Sequence, residues 1–218
     1  TIAIETPDKA NALLYSSQQY SLSDTDPEYA SLVLGNYILG GGSLSSRLGN
    51  RVRQQGLSYG VRSGLSSKER DKRVDFTLYA ITNPGNKDRL LEVIMEELEL
   101  IRDQGVTEEE LAQAKVAYLQ AAKVRRTNDG AVAGDLLSTL FDGRTMAAAA
   151  EHESQIEAAK VESVNSAIKK YIVPEKLVIA VAGDFAAAAK EASEKAANAK
   201  DDGTSESSEQ EAAAASAN

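Results

Sequence analysis

The sequence predicts an α+β fold, in which a mainly antiparallel sheet carries helices on one face. Residues Arg73–Ile81 alternate apolar and polar, which is typical of a strand with one buried face. Residues Lys87–Gln104 carry an apolar stripe at helical spacing, and Gly105 behind them suits the end of a helix. The continuous apolar run Lys176–Gly183 predicts a central strand that is buried on both faces.

Two further strands complete the predicted sheet. Ala10–Tyr20 is interpreted as a strand, and Gly60–Ser66 as a shorter one. The polar segment Ser67–Lys72 would join the latter to Arg73–Ile81 as a hairpin loop. The sheet is therefore expected to combine neighbouring hairpin strands with one strand from the end of the chain.

The predicted helices have recognisable start signals. Asp26 as N-cap and Pro27 at the first helical position open a helix that extends to about Leu39. Thr107 and Glu110 fit a capping box, followed by a helix to about Arg126. The remaining helices are predicted at Ala131–Phe141, Met146–Lys160 and Glu162–Tyr171, the last of which Pro174 prevents from continuing.

Length and composition predict one domain and a tail. The chain has 218 residues, 42% of them hydrophobic, which is enough for one substantial core. We assign residues 1–185 to the domain. Residues 186–218 form a low-complexity acidic Ala/Ser/Glu segment without large apolar side chains, predicted to be disordered, with partial helix possible over residues 186–199. The start of the sequence, Thr1–Ile4, resembles the middle of a protein and predicts a fragment or processed chain.

Charge and residue usage exclude several function classes. The formal net charge is −9; the tail holds seven acids and three lysines, so about −4 belongs to it and −5 to the domain. An acidic chain without a basic block is a poor candidate for nucleic-acid binding. No run of about 18 apolar residues predicts a membrane span. The absence of cysteine excludes a disulfide framework and a thiol nucleophile.

Catalytic constellations are not found within the sequence. Its one histidine, His152, is interpreted as a solvated residue on a surface helix, so no metal site is predicted. A Ser–His–Asp triad would need the same histidine, and no G-x-S-x-G motif occurs. The acidic clusters Glu96–Glu99 and Glu108–Glu110 are interpreted as solvated helix faces and caps.

The stretch from Leu39 to Ser63 stands out from the rest of the chain. It begins with three glycines, Gly40, Gly41 and Gly42, and one of Ser43, Ser45 and Ser46 is a candidate N-cap for a helix ending at Gln55. Leu44, Leu48 and Val52 would face inward, while Arg47, Arg51 and Arg53 lie on other faces. Gly56 ends the helix before Tyr59.

From spacing alone, this stretch allows two interpretations. A glycine turn before a helix with solvated arginines is the common structural one. The alternative is a surface that presents arginines and a tyrosine to a ligand. The glycine pattern matches neither common nucleotide-binding motif, so a nucleotide site is not predicted.

The run N-Y-I-L-G-G-G-S-L-S-S-R-L, followed by V-R-Q-Q-G-L-S-Y-G-V, resembles the non-catalytic C-terminal half-domain of M16 zinc metallopeptidases. This family includes pitrilysin, insulin-degrading enzyme and the mitochondrial processing peptidase. The resemblance extends from about Asp8 to Phe185 and is most specific in the central stretch. It implies an M16, or LuxS-metallohydrolase-like, half-domain with a similar order of elements.

The resemblance implies roles for Arg53 and Tyr59 as transition-state and substrate contacts that reach across a cleft, with Gly40, Gly41 and Gly42 near the substrate. The family usually places this Arg and Tyr seven positions apart, whereas Arg53 and Tyr59 are six apart and Arg51 and Tyr59 are eight apart. One residue missing before Gly56 would explain the difference. Arg53 is our choice, and Arg51 is the competitor.

The resemblance also implies a partner. Zinc is expected in an H-x-x-E-H-bearing catalytic half, in the same polypeptide or in a separate subunit, and the bound substrate would be a peptide. The main hypothesis is a substrate-binding half that is not catalytic alone. The alternatives are a proteolytically inactive M16-like structural or assembly domain, and an unrelated α+β interaction domain. A periplasmic location is expected only by analogy with bacterial relatives.

Overall fold

The computed structural model describes residues 1–42, 45–58, 60–68, 71–195 and 197–198. Its strands are β1 (Ile2–Glu5), β2 (Ala12–Ser21), β3 (Gly60–Lys68), β4 (Arg73–Thr82) and β5 (Val178–Gly183). In the described part of the chain they form one sheet in the order β1-β5-β2-β4-β3. β2 pairs antiparallel with β4 and β5, β3 pairs antiparallel with β4, and β1 pairs parallel with β5. The predicted α+β fold is confirmed, with a mixed rather than purely antiparallel sheet.

The α-helices are α1 (Tyr29–Asn36), α2 (Arg47–Gln54), α3 (Lys87–Gln104), α4 (Glu108–Arg125), α5 (Asp129–Phe141), α6 (Ala147–Ala158) and α7 (Val161–Tyr171). A π-helical turn, Tyr37–Gly41, continues α1, and short 3₁₀ turns lie at Pro84–Asn86 and Pro174–Lys176. Residues 185–195, behind β5, are helical.

The strongest sequence signals set helix boundaries correctly. Helix α3 has the predicted bounds. Thr107 and Glu110 form the predicted capping box at the start of α4, with both of its hydrogen bonds present. The predicted N-cap of α1 was wrong. The Asp26 carboxylate instead accepts from the Ser23 backbone N–H at 2.8 Å, and Glu28 occupies the N-cap position without a side-chain cap bond. Asp26 therefore stabilises the turn that precedes the helix.

The helices cover one face of the sheet. On that face, Leu14 of β2 and Val74, Phe76 and Leu78 of β4 are buried in the core. Helix α1 is surrounded by other elements of the domain, because its Leu32 and Leu34 are both fully buried. Because β2 and β4 alternate strictly, their other residues point to the opposite face.

The opposite face of the sheet is exposed; it is apolar toward one end, where Leu13 pairs with Ile81, and polar toward the other, where Gln19 pairs with Asp75. Its exposed large side chains, which keep 39–66% of their accessible surface, are Ile2, Ile4, Leu13, Tyr15, Tyr79 and Val178. The prediction that β5 is buried on both faces was therefore wrong, because only Ile179, Val181 and Gly183 face the helices. Strand β1 was not predicted, because four exposed residues give too short a pattern.

The domain boundary at residue 185 stays a prediction. Phe185 packs against the core, and the helix it begins continues into the predicted tail. This agrees with the expectation of partial helix over residues 186–199. Residues 199–218, which make up most of the segment predicted to be disordered, lie outside the described residues.

Candidate functional site

The glycine turn forms a close contact between the helical layer and β3. Gly40 is buried, and a Cβ atom at this position would lie 2.6 Å from the Ser63 hydroxyl and 2.8 Å from the Ser63 backbone nitrogen. Distances this short are not tolerated by a real Cβ, so only glycine lets the turn approach the strand. Gly40 therefore has a structural role that is sufficient to explain its identity.

Gly41 and Gly42 fold the turn onto its own start. A Cβ at Gly41 would lie 2.8 Å from the side-chain nitrogen of Asn36, and one at Gly42 would lie 2.8 Å from the Tyr37 carbonyl oxygen. The Gly42 N–H donates to that same carbonyl at 2.7 Å. Gly42 also lines a cavity of about 310 Å³ between the turn, α2 and α4.

Helix α2 is fixed from its buried side. The Ser46 hydroxyl caps it by accepting from the Gly49 N–H at 3.2 Å, which selects one of the three predicted cap candidates. Leu48 and Val52 are buried, as their spacing predicts. The other members of the predicted pattern, Ser43 and Leu44, lie outside the described residues.

Arg47 connects α2 to α4. Its guanidinium donates to both carboxylate oxygens of Glu110, at 2.7 and 2.8 Å, and to the Gly105 carbonyl at 2.9 Å. This bidentate pair lowers the pKa of the Glu110 carboxyl and raises the pKa of Arg47. Because Glu110 also completes the capping box, one carboxylate fixes both helices.

Arg51 connects α2 to α3. It donates to Glu97 at 3.1 Å and to Glu96. Glu97 is 7% exposed, so the prediction that the acidic cluster Glu96–Glu99 is only a solvated face was wrong for this residue. Helical spacing of Arg47 and Arg51 could have suggested a shared acidic partner, but only the packing of α2 against α3 identifies it.

Arg53 differs from the other two arginines. It is exposed on the last turn of α2, where it donates to the Asn50 side chain at 2.8 Å. Gly56, with φ of +63°, then reverses the chain. Tyr59 lies outside the described residues, so the distance between Arg53 and Tyr59 remains untested.

The segment between α2 and β3 is anchored at one end of the open sheet face. The Ser58 hydroxyl lies 2.6 Å from the Ile81 carbonyl oxygen and 2.8 Å from the Gly60 carbonyl oxygen. Ile81 pairs with Leu13, and the next row of the sheet pairs Tyr79 with Tyr15. Ser58 therefore lies at the apolar end of that face.

His152 is not the solvated residue that the sequence predicts. It is partly buried on α6, its Nε2 atom lies 3.1 Å from the Tyr118 hydroxyl, and burial lowers the pKa of its imidazole. Among the described residues, no group of three or more His, Asp or Glu side chains is arranged to hold a metal ion. No helix in the described ranges is long and apolar enough to cross a membrane.

Comparison with known proteins identifies the family. The model of the peptidase M16 inactive domain matches residues 1–118, which is more than half of the chain. A search of functionally curated proteins gives no match.

Solved structures share the fold. An M16 inactive domain from Pseudomonas fluorescens is 29% identical with a TM-score of 0.73, covering 84% of this chain and 42% of its own. A protease from Helicobacter pylori is 17% identical with a TM-score of 0.71, covering 83% of this chain and 43% of its own. The periplasmic protease PqqL from Escherichia coli is 22% identical with a TM-score of 0.66, covering 84% of this chain and 20% of its own.

This chain spans less than half the length of these three similar chains. The last two identities are low enough to establish shared fold alone. The family match and the mixed sheet with helices on one face agree with each other. The chain belongs to the peptidase M16 inactive-domain family.

Proposed function

We propose that this chain is the substrate-binding, non-catalytic half of an M16-type zinc metallopeptidase. It would supply Arg53 and Tyr59 to a peptide held at a zinc site in a partner half, in the same polypeptide or in a separate subunit. Membership of the inactive-domain family supports a non-catalytic half. The zinc of the partner half would polarise the scissile carbonyl and supply an activated water.

One observation carries the choice of Arg53. The side chains of Arg47 and Arg51 are only 21% and 24% exposed between α2 and the neighbouring helices, whereas Arg53 is exposed on the last turn of α2. A group that contacts a substrate has to lie at the surface, and of these three arginine side chains Arg53 is the exposed one. Arg51, the competitor, would leave Glu97 buried without its nearer arginine. Arg53 is therefore the better candidate.

The proposed chemistry follows from hydrogen-bond donation. Negative charge develops on the scissile carbonyl oxygen during hydrolysis, and a tyrosine hydroxyl can donate to it. A guanidinium can donate to a neighbouring substrate carbonyl and fix the peptide in register. Both interactions are stronger in a closed, water-poor chamber. Supplying them from a second half would make the site complete only after closure.

The open face of the sheet supports a binding surface beside these residues. Large exposed apolar patches on proteins mark interaction sites. This one begins where Ser58 meets Ile81 and includes Tyr15 and Tyr79. In the proposed enzyme, this face would line the peptide chamber.

The alternative is a proteolytically inactive domain with a structural or assembly role. The shortened spacing between Arg53 and Tyr59 favours it. A low-identity match to a chain of complex III2 from Candida albicans, 18% identical with a TM-score of 0.71, adds shared fold only. The periplasmic location stays a prediction, because it is PqqL from Escherichia coli that is periplasmic, and PqqL shares only the fold with this chain.

The experiment is peptide hydrolysis by the enzyme that contains both halves. We expect Arg53→Ala and Tyr59→Phe each to lower turnover by about 100-fold or more, because each removes a transition-state donor. Zinc content should stay unchanged. Arg89→Ala, at an exposed arginine of α3, is the matched control and should retain activity.

Two outcomes would reject the proposal. Full turnover in both variants would remove the role of Arg53 and Tyr59. A correctly assembled, zinc-loaded wild-type complex without peptidase activity would favour the structural alternative.

A further inference from the structure

Helix α5 turns its apolar side away from the protein. Ala133, Leu136, Leu137, Leu140 and Phe141 recur at the spacing of one helix face. Of these, Leu137 is 69% exposed, Leu140 is 74% exposed and Phe141 is 68% exposed. No residue of the helix is buried. An amphipathic helix in a globular domain ordinarily buries this side, so the orientation of α5 is inverted.

The polar side of α5 faces the body of the domain. Asp135, Ser138, Thr139 and Asp142 share the opposite face by the same spacing. They line two neighbouring cavities, of about 360 and 290 Å³, that also contact Tyr118 and His152. Asp135 forms an ion pair with Arg125 of α4. These polar contacts therefore hold α5 in its inverted orientation.

Two glycines mark where another helix could approach. Gly130 and Gly134 lie one turn apart, beside the outward face that continues through Leu137 and Phe141. A Cβ at Gly134 would meet nothing within 4 Å, so no contact inside this chain requires glycine there. Glycine within a helix is destabilising relative to alanine. Close approach of a partner backbone is a physical reason to keep it.

The size of this surface limits the partner. At roughly 150–200 Å² per large side chain, four side chains exposed by half to three-quarters offer on the order of 400–500 Å². A stable interface between free proteins needs about 800 Å² on each side. A second copy of this chain, bound through α5 alone, would fall short. A partner held nearby by other contacts needs no such area, since its effective concentration is high.

We propose that the outward face of α5, defined by Gly134, Leu136, Leu137, Leu140 and Phe141, docks an apolar helix of the zinc-bearing half. The inference rests on the proposed function for the existence of that half. It is compatible with similar structures whose chains are more than twice as long as the region shared with this one. Leu136, Leu137 and Leu140 would fill one end of the seam between α5 and the partner helix. At the other end, Gly134 would let the two helix backbones approach closely.

The first test is hydroxyl-radical footprinting of this chain alone and of the enzyme that contains both halves. We expect oxidation of Leu137 and Leu140 to fall by about fivefold or more in the two-half enzyme, because docking excludes water from the seam. Val116 of α4, which is 72% exposed, is the matched aliphatic control and should be oxidised equally in both samples. Equal oxidation of Leu137 and Leu140 in both samples would overturn the proposal.

The second test uses Gly134→Leu, which should act with opposite sign in the two samples. In this chain alone the substitution meets open space and improves helix propensity, so Tm should not fall. In the two-half enzyme the new side chain would block the crossing, and Tm should fall by about 4 °C or more. An unchanged or higher Tm in both samples would contradict the proposal.

Oligomeric state and activity separate the remaining explanations. This chain alone should sediment as a monomer. A dimer that Gly134→Leu dissociates would assign the surface to a second copy and overturn the proposal. Footprint protection with fully active Arg53→Ala and Tyr59→Phe enzymes would retain the α5 surface but reject the proposed function. If those two variants lost activity but Leu137 and Leu140 were not protected from oxidation, the proposed function would be retained and the α5 docking surface rejected.

Discussion

Helices α3 and α5 have comparable amphipathic sequences, but only α3 buries its apolar side. In α3, Leu90, Ile94, Leu98 and Ile101 are all at most 1% exposed. In α5 the leucines at equivalent spacing are 49–74% exposed, and the polar side faces inward. Periodicity therefore identifies the two faces of a helix, but the neighbouring elements determine which face is covered.

The polar faces differ in the same way. Glu97 of α3 is 7% exposed because α2 brings Arg51 and Arg47 to it. Asp135 of α5 pairs with Arg125, whose side chain is 60% exposed. Buried ion pairs specify geometry, and removing one partner leaves an uncompensated charge, whereas exposed pairs contribute little. The carboxylates of α3 are therefore expected to matter more for stability.

The largest expected effect separates the two apolar faces. Leu98→Ala should lower the free energy of unfolding by about 2–5 kcal/mol, because it leaves a cavity in the core. Leu140→Ala in this chain alone should change it by no more than about 0.5 kcal/mol, because the side chain is already hydrated. Urea denaturation of both variants measures the difference. Equal losses would show that α5 contributes to the core of this chain.

A smaller effect separates the polar faces. Glu97→Ala should lower the free energy of unfolding by about 1–3 kcal/mol, because two arginines lose a buried acceptor. Glu92→Ala, an exposed position on the same helix, is the control and should lose far less. Thermal or urea unfolding at low and moderate salt provides the measurement. If both variants behaved alike, the cluster would be a solvated face after all.

The smallest effect is a pH dependence beneath α5. Burial lowers the pKa of His152 below its ordinary value near 6.5, opposed by the charges of Asp24 and Glu153. Between the two values the unfolded chain binds more protons, so stability is fully present above about pH 6.5 and is lost as pH falls toward the folded-state pKa. His152→Gln should flatten the dependence below about pH 6.5.

A companion variant for this pH effect is Glu153→Gln. The Arg126 ion pair lowers the pKa of the Glu153 carboxyl, so Glu153 itself titrates in more acidic solution than an ordinary glutamate. Because the charge of Glu153 raises the pKa of His152, its removal should enlarge the loss of stability below about pH 6.5. A slope that persists in His152→Gln would assign the effect to groups other than His152.

The candidate site was predicted unevenly. The sequence predicted the turn, the buried side of α2 and its glycine stop, because each depends on residues close in the chain. It did not predict that Arg47 and Arg51 would be held by Glu110 and Glu97, since these partners are 46 or more residues away. The resemblance to M16 peptidases selected Arg53, and the role of this residue stays a prediction.

Local chemistry by itself determined the capped start of α4, the glycine stops of α2 and α3, and the alternation of β4. Those features depend on backbone conformation and short-range spacing, which the sequence encodes directly. Only the tertiary structure decided that β5 has one open face, that His152 is partly buried and that α5 is inverted. Burial depends on which distant segments pack together, and a residue's own neighbours in sequence do not specify that.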